Sequence, residues 1–250
     1  AMTQWIGGLG IVFFTIAVLP IFGVGGIQVF AAEASGPTHD KVHPRIGITA
    51  KWIWGIYAGM TGTLIVLLVF GGMSVFDSIC HAFTTTSTGG FSTKQASIEY
   101  YHSPYIDYVI SIFMFLSGIN FTLLLLMFNG KIKKFIHDAE LKFYFLCVSL
   151  FIAVWLHQTS SMEIEEAFRK SLFQVISLQT STGFATADYM LWPSILWGCL
   201  LIVMIIGACA GSTTGGIKCI RMVILFQVVK NEFKHILHPN AVLPVRVNKQ

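Results

Sequence analysis

Long uncharged apolar runs alternate with short polar segments along the whole chain. A bilayer crossing takes about 20 apolar residues, and five runs read as crossings: 5–30, 52–76, 105–129, 143–157 and 192–217. The third carries one acidic residue near its start, Asp107. Two further apolar stretches, 78–91 and 167–187, are too short or too polar to cross. The pattern predicts an all-α polytopic membrane protein. Two units of the form long run, short run, long run follow one another at 52–128 and 143–217.

Composition narrows the class. Of 250 residues, 54% are hydrophobic and 11% charged, whereas a soluble domain carries about 25% charged residues. These figures argue against a soluble enzyme and against a disordered chain. The charges also sort by side. Thirteen of the 16 basic residues lie in three connecting segments: Lys41, Arg45 and Lys51; Lys131, Lys133, Lys134 and Lys142; Lys218, Arg221, Lys230, Lys234, Arg246 and Lys249. The opposite segments hold only Lys94, Arg169 and Lys170, with most of the acid in Asp77, Glu99, Asp107, Glu163, Glu165, Glu166 and Asp188. The positive-inside rule puts the basic set in the cytoplasm. No basic stripe suits nucleic acid. The five cysteines lack CxxC spacing and read as small apolar residues of a membrane interior. The chain opens in mid-pattern with Ala1-Met2-Thr3-Gln4-Trp5, as a fragment would, and without the basic start of a signal peptide.

The two units share a word: Thr86-Ser87-Thr88-Gly89 recurs as Thr180-Ser181-Thr182-Gly183. Each unit starts and ends on the cytoplasmic side, so the copies are parallel, related by an axis along the membrane normal. Residues 78–86 suit a helix of about 13 Å, roughly half the hydrocarbon thickness. Asp77 and Ser78 are placed to cap it, and Glu165 and Glu166 to serve the second. Such a helix enters from outside and stops near mid-membrane, and the chain must return as non-helical backbone. Unsatisfied backbone groups cost several kcal/mol each in lipid, so that backbone must face protein or a water-filled path. A half-helix aims its partly negative C-terminal end inward, and Ser-Thr-Gly backbone presents carbonyl oxygens. Both favour a cation. The candidate ion-binding residues are Ser87, Thr88, Gly89, Gly90, Ser181, Thr182, Gly183 and Phe184. A simple turn between helices is the plainer reading of Gly89 and Gly183.

Gly207, Gly211, Gly215 and Gly216 fall with Ser212, Thr213 and Thr214 at the inner end of the fifth run. The spacing of 207, 211 and 215 suits close helix packing. Each glycine costs about 1 kcal/mol of helix stability, however, and four together favour a broken segment facing the conduit, a candidate gate. It is no phosphate-binding loop, since Ile217 separates Gly216 from Lys218. Trp5, Trp52, Trp54 and Trp192 lie at run ends, as in an aromatic belt. His81 and His157 read as packing or interface residues. Asn120 either bonds across helices or faces a neighbour. Glu163, Glu165 and Glu166 are either solvated or gather cations at an outer mouth.

These motifs resemble those of the TrkH/KtrB-type potassium transporters, a superfamily related to potassium channels. Thr3-Gln4-Trp5-Ile6-Gly7-Gly8-Leu9-Gly10 is similar to the inner helix of that family's first repeat. His81-Ala82-Phe83-Thr84-Thr85-Thr86-Ser87-Thr88-Gly89-Gly90-Phe91-Ser92-Thr93 is similar to its second filter, and Gln179-Thr180-Ser181-Thr182-Gly183-Phe184-Ala185-Thr186 to its third. The segment from Gly207 to Lys218 is similar to its intramembrane gating loop. The resemblance covers essentially the whole chain. It implies four M1–pore helix–M2 repeats around one pore. This sequence matches the tail of the first repeat (1–51, with a cytoplasmic linker), the second (52–142, filter 86–91) and the third (143–221, filter 180–185, loop 207–216). A cytoplasmic amphipathic segment, 222–250, follows.

The resemblance further implies potassium as the permeant ion at the filter residues, with no other cofactor. It implies a homodimer in the lipid of a bacterial inner membrane and a cytosolic nucleotide-binding regulatory subunit of the TrkA type. Lys218 and Arg221 are either topological anchors or contacts for that subunit, and 222–237 lies on the membrane surface or docks a partner. Neither filter reads Thr-Val-Gly-Tyr-Gly, and the later one has a single glycine, so a less selective sodium/potassium transporter is the alternative. A membrane-embedded enzyme would need a catalytic or metal-spaced cluster in the spans, and an anion transporter would need half-helix N-termini or basic residues there. The spans offer neither. The expectation is non-enzymatic: gated permeation of potassium down its electrochemical gradient.

Overall fold

A computed structural model describes residues 1–8, 46–158, 163–188 and 192–237, with the backbone alone at 46–50, 151 and 153–158. The first predicted span beyond Gly8, the linker with Lys41 and Arg45, the His157 side chain and the tail with Arg246 and Lys249 lie outside the described residues. Every regular element described is helical. In chain order these are α1 (Met2–Gly8), α2 (Ile46–Phe70), α3 (Val75–Thr86), a 3₁₀ turn (Ser97–Tyr101), α4 (Pro104–Ser117) and α5 (Phe121–Phe128). Then come α6 (Ile132–His137), α7 (Ala139–Gln158), α8 (Ile164–Gln179), α9 (Ser194–Ile206) and α10 (Cys219–Leu237).

Among the described residues α2 alone is long and apolar enough to cross a membrane by itself, over 51–70. It buries Leu64 and Leu68 completely while Val66 and Phe70 stand 52% and 81% exposed. Such an apolar outer face is what a lipid or protein neighbour requires, not water. Gly72, at φ +91°, ends the turn after α2. Ser74 then caps α3, its hydroxyl accepting the Asp77 amide at 3.1 Å. The cap is therefore Ser74 rather than Asp77 or Ser78, and α3 has 12 residues instead of the predicted nine. Asp77 instead occupies the first turn, where a negative charge suits the helix dipole.

The third apolar run is not one helix. α4 and α5 meet at 101° across Gly118-Ile119-Asn120. Asn120 caps α5 through the Thr122 amide at 2.8 Å, which is the local role of that lone polar side chain. The fifth run also breaks: α9 stops at Ile206, and the chain to Lys218 is non-helical.

Successive units are joined by one repeated device. The Tyr57 hydroxyl donates to the Trp5 carbonyl at 2.9 Å, and the Tyr144 hydroxyl to the Phe115 carbonyl at 3.4 Å. Tyr57 stacks on Trp5 at 5.4 Å between centroids, and Tyr144 on Phe115 at 4.8 Å. Three residues after each partner comes a glycine, Gly8 or Gly118, where a Cβ would collide with the tyrosine hydroxyl. Trp5 also donates its indole N–H to Thr61 at 2.9 Å and packs on Trp54 and Phe83. Trp5 is thus an internal packing residue rather than a member of an aromatic belt. The first turn of α4 and the second turn of α8 are tied by a half-sunken ion pair, Arg169 to Asp107 at 2.5 Å.

Candidate functional site

The candidate site lies where α3 and α8 end. Both helices stop in the same way. Ser87 and Thr180 are the last right-handed residues, at φ −84° and −82°. Thr88 and Ser181 follow at φ +52° and +57°. The next amides fold back: Gly89 and Gly90 donate to the Thr84 carbonyl at 2.7 and 3.4 Å, and Thr182 and Gly183 to the Ser177 carbonyl at 2.9 and 3.2 Å. This is the Schellman termination, normally built on a glycine at the left-handed position. Because trans peptides hold N–H and C=O on opposite sides, the carbonyls of Thr88 and Gly89, and of Ser181 and Thr182, face away from their helices. The strands are braced further on, where the Thr84 hydroxyl bonds the Phe91 carbonyl at 2.9 Å and the Ser177 hydroxyl bonds the Phe184 carbonyl at 2.7 Å. Phe184 is therefore an anchor, with its ring buried near His81.

These pairings fix a register that the shared word conceals. Ser87 corresponds to Thr180, Thr88 to Ser181, Gly89 to Thr182 and Gly90 to Gly183. The two Thr-Ser-Thr-Gly words are offset by one residue in space. The joints agree, since the Cβ absent from Gly8 would meet Ser87 and that absent from Gly118 would meet Thr180. The two strands also touch, for a Cβ on Gly90, at φ +66°, would strike the Thr182 carbonyl.

Side chains of the helices hold the returning chain. His81 is fully buried, with Nδ1 2.7 Å from the Asp77 carbonyl and Nε2 2.8 Å from the Ser92 hydroxyl. Thr93 donates to Asp77 at 2.6 Å, and Lys94 lies 3.5 Å from the same carboxylate. The Thr93 hydroxyl, with help from Ser74 and Lys94 and against the effect of burial, holds the Asp77 carboxyl below its usual range. In the second unit Gln174 takes the place of His81 and reaches the Ala187 carbonyl at 3.4 Å. The units meet again where the Glu99 amide donates to the Ala185 carbonyl at 3.2 Å.

The segment 207–218 runs under both helix ends. The Thr213 hydroxyl donates to the Thr86 carbonyl at 3.0 Å, and the Thr88 hydroxyl to the Thr213 carbonyl at 2.9 Å. Gly215 leaves only enough room for the Ser181 side chain, 3.2 Å from a Cβ it lacks. Gly207 is tied to Gln179 through its carbonyl at 3.3 Å. Ser212 and Thr214 share a hydrogen bond at 2.7 Å. Gly211 packs on Asn120, and its carbonyl accepts the Phe121 amide at 3.1 Å, while the Cys209 amide bonds Gly118 at 3.0 Å. Gly216, at φ +86°, packs against Gly207. The segment thereby closes the α4–α5 break and abuts both strand starts at once.

Several residues fall differently from the sequence reading. Lys218 is buried and donates its ammonium to the carbonyl and hydroxyl of Thr214, inside the segment; Arg221 is exposed. Glu165 and Glu166 pair with Arg169 and Lys170 at 3.2 and 2.6 Å. Ser177, Tyr57, Tyr144 and Glu140 escape the sequence reading, though the recurrence of a tyrosine ahead of each short helix is a signal that could have found two of them. All five cysteines are free thiols.

The profile of the TrkH family, described as a cation transport protein, matches residues 1–250. The chain is 42% identical over 259 residues to the Trk system potassium uptake protein TrkH of Escherichia coli K12, covering 100% of this chain and 53% of that protein. It is 37% identical over 251 residues to the protein of the same name in Halomonas elongata, covering 98% and 52%. Its structure is similar to the crystal structure of the potassium transporter TrkH from Vibrio parahaemolyticus. That match has a TM-score of 0.80 and 36% identity, covering 98% of this chain and 51% of that one. The chain spans about half the length of the curated relatives it matches.

Proposed function

Because the chain belongs to the TrkH family of cation transport proteins, we propose that it forms part of the pore of a potassium-uptake system. In this reading, residues 52–142 and 143–221 are two M1–pore helix–M2 repeats of a membrane protein. α3 and α8 are the pore helices, and 86–91 and 180–185 the filter strands. One observation carries it: both short helices end by turning two consecutive amides back onto themselves, leaving consecutive carbonyls directed away. Bare carbonyls near the partly negative ends of two helices are ligands for a dehydrated monovalent cation. The segment 207–218, wedged beneath both strands, serves as the gate. Relatives named as potassium uptake proteins support potassium as the ion.

The proposal extends to a homodimer in the bacterial inner membrane and to a cytosolic nucleotide-binding regulatory subunit of the TrkA type, with exposed Arg221 as one contact. Rubidium uptake into liposomes holding the full-length protein tests the reading. Uptake driven by a potassium gradient is expected, and its absence from well-folded protein would overturn it. One observation favours a less selective sodium/potassium transporter. Thr182 stands where the other strand has Gly89, so the two strands are not chemically alike. The ratio of sodium to rubidium uptake in the same vesicles separates the two.

A further inference from the structure

We infer that Glu140 is a positioning residue that hangs the glycine-rich loop from α7 and sets its height against the two carbonyl-bearing strands. The flux part of this inference rests on the reading of 207–218 as the gate; the anchoring part does not.

The loop is closed at its neck mainly by backbone, with the Cys219 thiol also donating to the Gly207 carbonyl at 3.4 Å. Ile217, Lys218 and Cys219 donate to the carbonyls of Ile205, Ile206 and Ala208, each at 3.0 Å. Those bonds hold the two roots of the loop to each other but not to the rest of the molecule. Glu140 adds an attachment at the neck itself, beside those that Cys209, Gly211 and Thr213 make farther along the loop. A single carboxylate oxygen, Oε1, accepts the Ala210 amide at 2.6 Å and the Ile220 amide at 3.1 Å. One amide belongs to the outgoing root and the other to the returning root.

The carboxyl group is buried, at 5% exposure, and a buried polar group persists only where it is well bonded. Lys218 turns its ammonium to Thr214 within the loop. The acceptor oxygen of Glu140 is spent on the two amides, and a buried acceptor stripped of its partners is costly.

The preceding unit supplies a comparison within the same molecule. Tyr57 and Tyr144 occupy equivalent positions, which makes Ile53 the counterpart of Glu140. Ile53 is buried and apolar, at 2% exposure. In that unit the broken helix has only the short joint 118–120 and no loop to hold. The carboxylate occurs where there is a loop to position and is absent where there is none.

Two native thiols report on the attachment. Cys209 and Cys219 are fully buried and adjoin Ala210 and Ile220. Cys147, at 7% exposure on the same helix as Glu140, reports general loosening. In full-length protein, N-ethylmaleimide labelling resolved by peptide mass is compared between wild type, Glu140→Gln and Glu140→Ala. Glu140→Ala should label Cys209 and Cys219 at least about tenfold faster, equivalent to about 1.4 kcal/mol, with Cys147 unchanged.

Glu140→Gln keeps an acceptor oxygen without the carboxyl group and should fall between the two. It carries the test by itself if the alanine protein does not fold. Rubidium leak through liposomes should rise in the same order. Labelling equal to wild type in both variants overturns the inference, as does a rise at Cys147 in step with the other two. The expected labelling together with a wild-type protein that passes no monovalent cation leaves the anchor standing and removes the transport reading.

Discussion

The Thr88 hydroxyl lies 2.9 Å from the Thr213 carbonyl, across 125 positions of sequence. Thr213 answers with its own hydroxyl on the Thr86 carbonyl at 3.0 Å. The two bonds hold the glycine-rich loop against one helix end. Thr88→Val and Thr213→Val each delete one of them at nearly constant shape. Each loss is worth about 1 kcal/mol, or about fivefold in the loop's equilibrium. Rubidium leak in liposomes should rise by about that factor in either variant, and by less than the product in the double variant, because both bonds restrain one motion. Unchanged leak in Thr88→Val removes the coupling.

Three glycines of the strands should respond unequally to alanine. Gly90 is left-handed and faces the Thr182 carbonyl; Gly183, at φ +84°, is left-handed but has open space; Gly89 meets only the movable side chain of Gln4. The left-handed conformation costs a non-glycine residue about 1–2 kcal/mol. Gly90→Ala adds a backbone collision to that cost. Rubidium uptake should therefore be lost in Gly90→Ala, reduced in Gly183→Ala and largely kept in Gly89→Ala. Equal loss at positions 89 and 90 would contradict the structural register.

Arg169 and Asp107 join α4 to α8 through a pair with side chains only 15% and 7% exposed. Removing one partner of a buried pair costs about 3–5 kcal/mol, whereas an apolar replacement of both is often neutral. Thermal unfolding in detergent should show Arg169→Met strongly destabilised and Arg169→Met with Asp107→Leu substantially restored. A double variant as unstable as the single one would show that the charges themselves are needed.

Asp77 gives an acid dependence with a definite sign. Its carboxyl is held low, first by Thr93. Its contribution is complete above the unfolded value of about 3.9 and is lost as the pH falls through the lower folded value. Thr93→Val lifts that value toward the ordinary one. The variant should lose about 1 kcal/mol at neutral pH and decline less steeply below about pH 4. Unfolding midpoints at neutral and acid pH measure both, and parallel acid limbs would exclude Thr93 as the cause.

The polar positions along the chain carry the two short helices well. Asp77, His81 and the threonines interrupt an apolar sequence too soon for a crossing, and Glu165 through Gln174 do the same in the second unit. They do not carry the break at 118–120. Phe115 to Phe121 is apolar enough for continuous helix, and the bonds that replace the helical ones come from Cys209 and Gly211, beyond five intervening helices. The register is hidden for another reason. A four-residue identity looks decisive in sequence, but the helix end is set by which residue can turn left-handed, and that falls on Thr88 and Ser181. Glu140 is invisible because its partners are main-chain amides, which leave no mark in composition.

The tyrosine-in-notch joint has an architectural consequence. Tyr57 sits over Gly8, and Tyr144 over Gly118, so neighbouring units are keyed by shape rather than by their connecting peptide. The Gly130-Lys131 turn is then a tether and not a structural strut. A gene severed there and expressed as two co-translated halves should yield a complex that copurifies and retains rubidium uptake. Filling the notch by Gly118→Val should separate the halves.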